Sequence, residues 1–204
     1  NVGINSNTVL FRNKASQGNP DENPADAEAG AFANKVLEYN PAPSQYMNTS
    51  YTAYEEGFTG IQVLARATEL LQDRTTCLFT LGGFGGNITV GFDHTILNVP
   101  GEYDFKIYGN AYYDMYGTLL DKPGGNSEPG IVLVSKDTNG NGLPDDEWYE
   151  LAGSEYNSPA TIRNYEITYY RPTPADGDVK WKDNQGKEGY IYRNTYHTQG
   201  SYYP

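Results

Sequence analysis

The chain has 204 residues and a formal net charge of −12, from 26 acidic and 14 basic side chains. That length suits one well-buried domain with a short extension, and the acidic balance with no basic patch excludes a nucleic-acid or anionic-membrane surface. The 23 Gly and 12 Pro punctuate short apolar runs, while 19 Tyr and 7 Phe supply the apolar area, which is the pattern of an all-β chain.

Residues 1–25 are rich in Asn, Asp, Pro, Ser and Gly and read as a loop-like lead-in, so residues 1–33 are expected to be a loop-rich extension to a domain over 34–204. The chain begins at Asn1, which suggests a processed piece from which a signal peptide or lipid anchor was removed. Between Ala27 and Tyr39 the apolar positions Ala29, Phe32, Ala33, Val36 and Leu37 fit a helical face, yet Phe32–Tyr39 equally reads as a strand; Pro41 and Pro43 stop either. Over Gly60–Arg74, the residues Ile61, Val63, Leu64, Ala67, Leu70 and Leu71 recur at spacings of three and four, which predicts a helix packed on a sandwich.

Strands are predicted next. Cys77–Leu81 is a short apolar run holding the single cysteine, which reads as a small buried hydrophobe. Asn87–Phe92 and Tyr103–Tyr108 alternate, and Ile131–Ser135, Trp148–Leu151, Tyr165–Tyr170 and Val179–Trp181 follow. With about seven or eight strands, short connections and one convincing helix, the expected fold is an antiparallel β-sandwich of jelly-roll type with one packed helix. No apolar run reaches the roughly 18 residues of a membrane helix.

The best chemical signal is Asp137-Thr138-Asn139-Gly140-Asn141-Gly142-Leu143-Pro144-Asp145-Asp146-Glu147. A calcium loop of the EF-hand kind takes oxygens from positions 1, 3, 5, 7 and 9, with glycine at 6. Counted from Asp137, these fall on Asp137, Asn139, Asn141, the Leu143 carbonyl and Asp145, with Gly142 at the turn. Position 12 is Trp148 instead of Glu, so Asp146 or Glu147 must supply the remaining contact, and a strand instead of a helix is expected to follow. The competing reading is a solvated hairpin, since Asn139-Gly140 and Asn141-Gly142 are both tight-turn dipeptides.

Other motifs carry less. Gly82-Gly83-Phe84-Gly85-Gly86 precedes an alternating strand instead of a helix N-terminus, so a phosphate-binding loop is rejected. Of the two histidines, His94 reads as a polar cap, while His197, among aromatics, is the better candidate for touching a ligand. Asp93, Asp104, Glu128 and Glu150 are the carboxylates that a glycan hydrolase would need to pair across a cleft. The tyrosines cluster, and exposed aromatics suit sugar rings or a large planar ligand. Tyr112, Tyr113, Tyr116, Trp181, Tyr196 and His197 are the expected contact face, the first three in a long aromatic loop over 109–129.

Several segments are familiar together: Pro41-Ala42-Pro43 with Gln45 and Asn48, Leu81–Gly86, Val90–His94, Tyr103–Phe105 with Gly109–Ala111, Glu128–Val132, the Asp137 loop running into Trp148–Glu155, Tyr169–Pro172, Trp181–Asn184 and Tyr202-Tyr203-Pro204. From about residue 34 onward the set resembles the Bacteroidetes-type "cell surface protein" lipoproteins of gut-commensal Gram-negative bacteria, with Ser44 standing where the pattern has Gly. The resemblance implies an extracellular or outer-membrane location and a non-catalytic β-sandwich that captures a nutrient, a cobalamin-type corrinoid first, for an outer-membrane transporter. It transfers only the calcium loop and no catalytic residues. A carbohydrate-binding module is the alternative, and a glycan-active hydrolase comes third.

Overall fold

The structure is a computed structural model that describes residues 7–13, 32–49, 53–72, 78–113, 124–198 and 200–204. Among these residues ten strands and one helix follow in the order β1 (Asn7–Asn13), β2 (Lys35–Asn40), α1 (Gly60–Gln72), β3 (Asn87–Gly91), β4 (Tyr112–Tyr113), β5 (Gly125–Asn126), β6 (Gly130–Lys136), β7 (Trp148–Glu150), β8 (Ile167–Tyr170), β9 (Val179–Asp183) and β10 (Glu188–Ile191). Among the described residues the regular elements are therefore mostly strands, with one short helix, consistent with the all-β class.

The strands form a five-stranded sheet in the order β2-β3-β1-β6-β7, a three-stranded sheet β10-β9-β8, and the two-stranded ladder β4-β5. The expectation of a purely antiparallel arrangement is corrected at the centre of the large sheet. There β1 runs parallel to both neighbours, with Val9 opposite Ile88 on β3 and Val132 on β6. The reading of residues 1–25 as loop is corrected with it, because Asn7–Asn13 is that central strand. The short run Thr8-Val9-Leu10-Phe11 does not alternate, so periodicity does not mark it as a strand.

The ambiguous stretch before Pro41 resolves as strand. Val36 and Tyr39 of β2 are buried with Ile88 and Val90 of β3, against Val63 and Ala67 of α1, Ala53 and Leu81. Helix α1 opens on a capping box: the Thr59 backbone N–H donates to Gln62 Oε1 (2.9 Å), and the Gln62 N–H to Thr59 Oγ1 (3.4 Å). Ile61 of the predicted stripe instead points to solvent at 82% exposure. The helix is tied to the sheet by the Val36 N–H, which donates to Thr68 Oγ1 (3.2 Å).

Tyr103–Tyr108, predicted as a strand, forms no strand ladder among the described residues; Tyr103 is fully exposed and Tyr108 nearly so, while Phe105 packs against the core. Local bonds take precedence upstream of it. The Glu102 N–H donates to the Val99 carbonyl (3.1 Å) across Pro100-Gly101, and the Val99 N–H donates to Asp104 Oδ1 (2.9 Å). Cys77 lies outside the described residues.

In the small sheet, odd-numbered positions of β9 face inward and even ones outward: Val179 and Asp183 are buried, while Lys182 is exposed. Gly189 of β10 sits opposite Trp181, and a Cβ there would come within 2.8 Å of the indole, so the ring lies over the glycine. The β9–β10 turn is organised by Asp183. Its Oδ1 accepts the N–H groups of Gln185 (3.0 Å) and Lys187 (2.7 Å), and its Oδ2 accepts the Tyr165 hydroxyl (2.9 Å). Burial pushes the Asp183 carboxyl up, but the Lys187, Tyr165 and Gln185 bonds outweigh it and hold the group below its ordinary range.

Candidate functional site

Between the end of β2, the glycine turn and β8 lies an open groove of about 490 Å³. One wall is Pro41-Ala42-Pro43, a second is Phe84-Gly85, and the others are Ile167 with Tyr169 and the terminal Tyr203-Pro204; Asn40 and Glu166 contribute polar groups. The Gly82–Gly86 turn builds this site by close approach. Gly82 has φ +79°, and a Cβ on it would lie 1.8 Å from the Ala42 carbonyl oxygen. The Ala42 N–H donates to the Leu81 carbonyl (2.9 Å) and the Gly83 N–H to the Pro43 carbonyl (3.2 Å). The turn is thus stapled to the proline segment, and Phe84 at its tip is thrust towards β8.

There Phe84 meets two tyrosines. The Tyr169 hydroxyl donates to the Phe84 carbonyl (3.0 Å), and the Tyr165 ring stands edge-on to Phe84, 4.7 Å between centroids. Burial pushes the Tyr169 phenol up to about 12, with Tyr165 adding to the effect. Burial also raises the Tyr165 phenol, helped by its bond to the Asp183 carboxylate.

The C-terminal segment closes the groove. Tyr202 is fully buried, and its hydroxyl donates to the His197 carbonyl (2.7 Å). The Ser44 N–H donates to the Tyr202 carbonyl (3.0 Å), and Asn48 Nδ2 to the Ser201 carbonyl (2.7 Å). Asn194 Nδ2 reaches Gln45 Oε1 (2.7 Å). Arg171 lies 4.5 Å over the Tyr203 ring and donates to the Pro204 carbonyl (2.9 Å). Segments quoted separately in the sequence, namely Pro41–Asn48, Leu81–Gly86, Tyr169–Pro172 and Tyr202–Pro204, are therefore one structural cluster. The sequence signal for Phe84 and Tyr203 as groove walls is that each sits in an aromatic-glycine or aromatic-proline segment with no strand role of its own; Tyr169, a strand residue of β8, carries no such mark.

The expected contact face is distributed. Tyr113 is exposed on β4 and Tyr196 on the loop after β10. Tyr112 contributes its backbone to β4, while its side chain and the whole of Tyr116 lie outside the described residues. Trp181 packs on the inner face of the small sheet opposite Tyr169, one residue removed from the groove. The half-buried His197 stands edge-on to Tyr46, 4.6 Å between ring centroids. The Tyr196 and His197 N–H groups both donate to Asn194 Oδ1, at 3.0 and 2.8 Å.

The Asp137 loop follows β6 and returns into β7, strand to strand. Asp137 is 3% exposed; its Oδ1 accepts the Gly140 N–H (2.8 Å) and its Oδ2 the Gly142 N–H (2.9 Å). Asn139 Oδ1 accepts the Asn141 N–H (2.9 Å), and Asn141 Oδ1 the Leu143 N–H (2.7 Å). Asn141 Nδ2 donates to Asp145 Oδ2 (3.0 Å), and Thr138 Oγ1 donates to Asp146 Oδ1. Gly140 and Gly142 both take φ +73°, so the chain coils around the Asp137 carboxylate. The donor set is all oxygen, the chemistry a hard cation selects. Among the described residues no three His, Cys, Asp or Glu side chains converge closely enough to hold a metal ion on their own, so amide and carbonyl oxygens would have to complete the shell.

The carboxylates weighed for hydrolysis have local partners. Asp93 Oδ1 is 2.8 Å from His94 Nδ1, Asp104 holds the Val99 N–H, and Glu128 Oε1 accepts from Asn126 Nδ2. Glu150 is exposed on β7. Among the described residues no helix is long and apolar enough to cross a membrane. Compared with known proteins, the chain matches no family model and no curated sequence.

Proposed function

We propose that this protein is a non-catalytic, cell-surface ligand-binding module whose site is the groove between Pro41–Pro43, Phe84-Gly85, β8 and Tyr203-Pro204. The observation that carries the reading is the convergence of four separate segments on one open hollow walled by proline and aromatic rings. A volume of about 490 Å³ falls within the ~300–1,000 Å³ of small-molecule sites. The walls are apolar, and the few polar groups, Asn40 and Glu166, stand at the rim where they can read amides or hydroxyls.

Of the ligands that fit this chemistry we favour a corrinoid, a broad apolar ring edged with amides, delivered onward to an outer-membrane transporter. The resemblance of the motifs around the groove to the cell-surface lipoproteins supports that choice and the extracellular location. The scaffold in this reading is sandwich-like, with the small sheet tied to the glycine turn through the Tyr169–Phe84 bond. The Asp137 loop serves as a structural calcium clamp between β6 and β7, with Asp137, Asn139, Asn141, the Leu143 carbonyl, Asp145 and Asp146 as its oxygen donors; the all-oxygen set and the buried Asp137 support it.

Incubation with cyanocobalamin followed by desalting tests the proposal. A protein that stays coloured, and loses colour in a Tyr203→Ala variant, supports it. Colourless protein that also gives no calorimetric heat overturns it.

A further inference from the structure

The outer face of the three-stranded sheet is separate from the groove, and it is chemically organised. Tyr170, Lys180 and Tyr190 lie in one row across β8, β9 and β10, and Thr168, Lys182 and Glu188 form the row beside it. Tyr170 and Tyr190 are each 47% exposed, and Tyr192, just past β10, is 68% exposed. The Tyr190 and Tyr192 rings are 5.8 Å apart and inclined by only 33°, so together they form a nearly continuous aromatic surface. Between the rings, Lys180 Nζ is held 3.1 Å from Glu188 Oε2. The opposite face of the same strands is the packed one, with Val179 fully buried. The outward tyrosines therefore do nothing for the core.

The mixture of groups says what fits. Two strand spacings separate Tyr170 from Tyr190, about 10 Å. A protein interface core is depleted in Lys and Glu, and burying an ion pair there carries a desolvation penalty, so the central Lys180–Glu188 pair argues against a protein partner. An anionic polymer is disfavoured by the chain's net charge of −12. A neutral sugar ring has an apolar C–H face that stacks on a phenol ring and a hydroxyl edge that bonds to an ion pair without removing it from water. We infer that the outer face of β8–β9–β10 is a platform for a neutral glycan chain laid across the strands, stacking on Tyr170, Tyr190 and Tyr192, with hydroxyls bonded by Lys180 and Glu188.

The test is retention of the full chain on insoluble xylan, mannan and microcrystalline cellulose. At least one should retain the protein, and retention should persist in about 0.5 M sodium chloride, where the screening length falls to roughly 4 Å. Tyr170→Ala and Tyr190→Ala should each weaken it about tenfold, as should Tyr192→Ala, which lies outside every ladder and keeps the test open should a strand variant unfold. Tyr192→Phe keeps the stacking face and should bind nearly as wild type. Glu166→Ala, in the groove, should not change retention, which separates this surface from the groove whatever cobalamin does there. Failure of all three polysaccharides to retain the protein overturns the inference. So does retention that salt abolishes or that the alanine variants leave unchanged. A concentration-dependent dimer lost in the same variants would assign the face to a second copy of the chain and overturn it equally.

Discussion

Tyr169 donates its hydroxyl to the Phe84 carbonyl across 3.0 Å, joining the edge strand of the small sheet to the tip of the glycine turn on the main body. The bond is half-buried, and a Cβ on Gly83 would lie 2.6 Å from the same hydroxyl, so the phenol occupies space that only a glycine leaves. Tyr169→Phe removes the donor and keeps the ring. Because the Phe84 carbonyl is left unpaired, the expected loss is about 1–2 kcal/mol, seen as a lower denaturant midpoint with an unchanged slope. A midpoint equal to wild type would show that the bond contributes nothing to joining the two parts.

Gly82→Ala is expected to be far more damaging. The residue holds φ +79° and would press its new methyl into the Ala42 carbonyl oxygen at 1.8 Å, backbone against backbone, with no flexible side chain to yield. Left-handed strain alone costs roughly 1–3 kcal/mol, and the clash adds to it, so a loss above about 3 kcal/mol is expected. Gly85→Ala is the control. Gly85 also has positive φ, +89°, but nothing lies within 4 Å of its would-be Cβ, so it should lose only the strain term. Equal destabilisation of the two variants would rule out the close approach as the cause.

Stability should fall in alkali between about pH 10 and pH 12. Burial pushes Tyr169 up to about 12 and raises the Tyr39 phenol still further, whereas an unfolded tyrosine ionises near ~10. A folded-state value above the unfolded one means the contribution is intact below pH 10 and is lost as the pH climbs, because only the unfolded chain releases its protons. With solvent screening allowed for, Tyr169 accounts for about 1–2 kcal/mol of that fall. Urea midpoints at successive pH values would show it, and Tyr169→Phe should flatten the decline. An equally steep decline in that variant would remove Tyr169 as its source.

How much of this was legible beforehand depended on where the information resides. Helix α1 was readable from its three-and-four spacing, and β3, β6, β7, β8 and β9 from short apolar or alternating runs ending at glycine, asparagine or proline. β1 was not, since three apolar residues, Val9, Leu10 and Phe11, inside a polar stretch are outweighed in any window, and only pairing with β3 and β6 makes them a strand. Tyr103–Tyr108 failed in the opposite sense: alternation states which side a residue prefers, but a strand also needs a neighbour. β10 was hidden because its turn depends on Asp183 gathering the Gln185 and Lys187 N–H groups, a convergence that spacing alone does not display. The groove was legible only in pieces. Pro43, Phe84, Tyr169 and Tyr203 come from four distant segments, and it is the Gly82–Gly86 turn, by letting two backbones touch, that assembles them.

The Asp137 loop separates two contributions that a simple deletion would confuse. Asp137→Ala orphans the Gly140 and Gly142 N–H groups whether or not an ion is bound, so it should lower the melting temperature in every buffer. A chelator tests the ion alone. With no Glu at position 12, affinity in the sub-millimolar to millimolar range is expected, and 10 mM calcium at a Kd of about 0.1–1 mM would stabilise the fold by roughly 1.4–2.7 kcal/mol. Calcium should therefore raise the melting temperature of the wild type, and excess EGTA should return it to the apo value. In Asp145→Asn, which keeps an oxygen to bond Asn141 but removes a charge, the calcium-dependent part should shrink while the apo value stays close to wild type. A wild-type melt indifferent to both calcium and chelator would leave the loop as a hydrogen-bonded hairpin, held by Asp137 and its two glycine N–H groups without any ion.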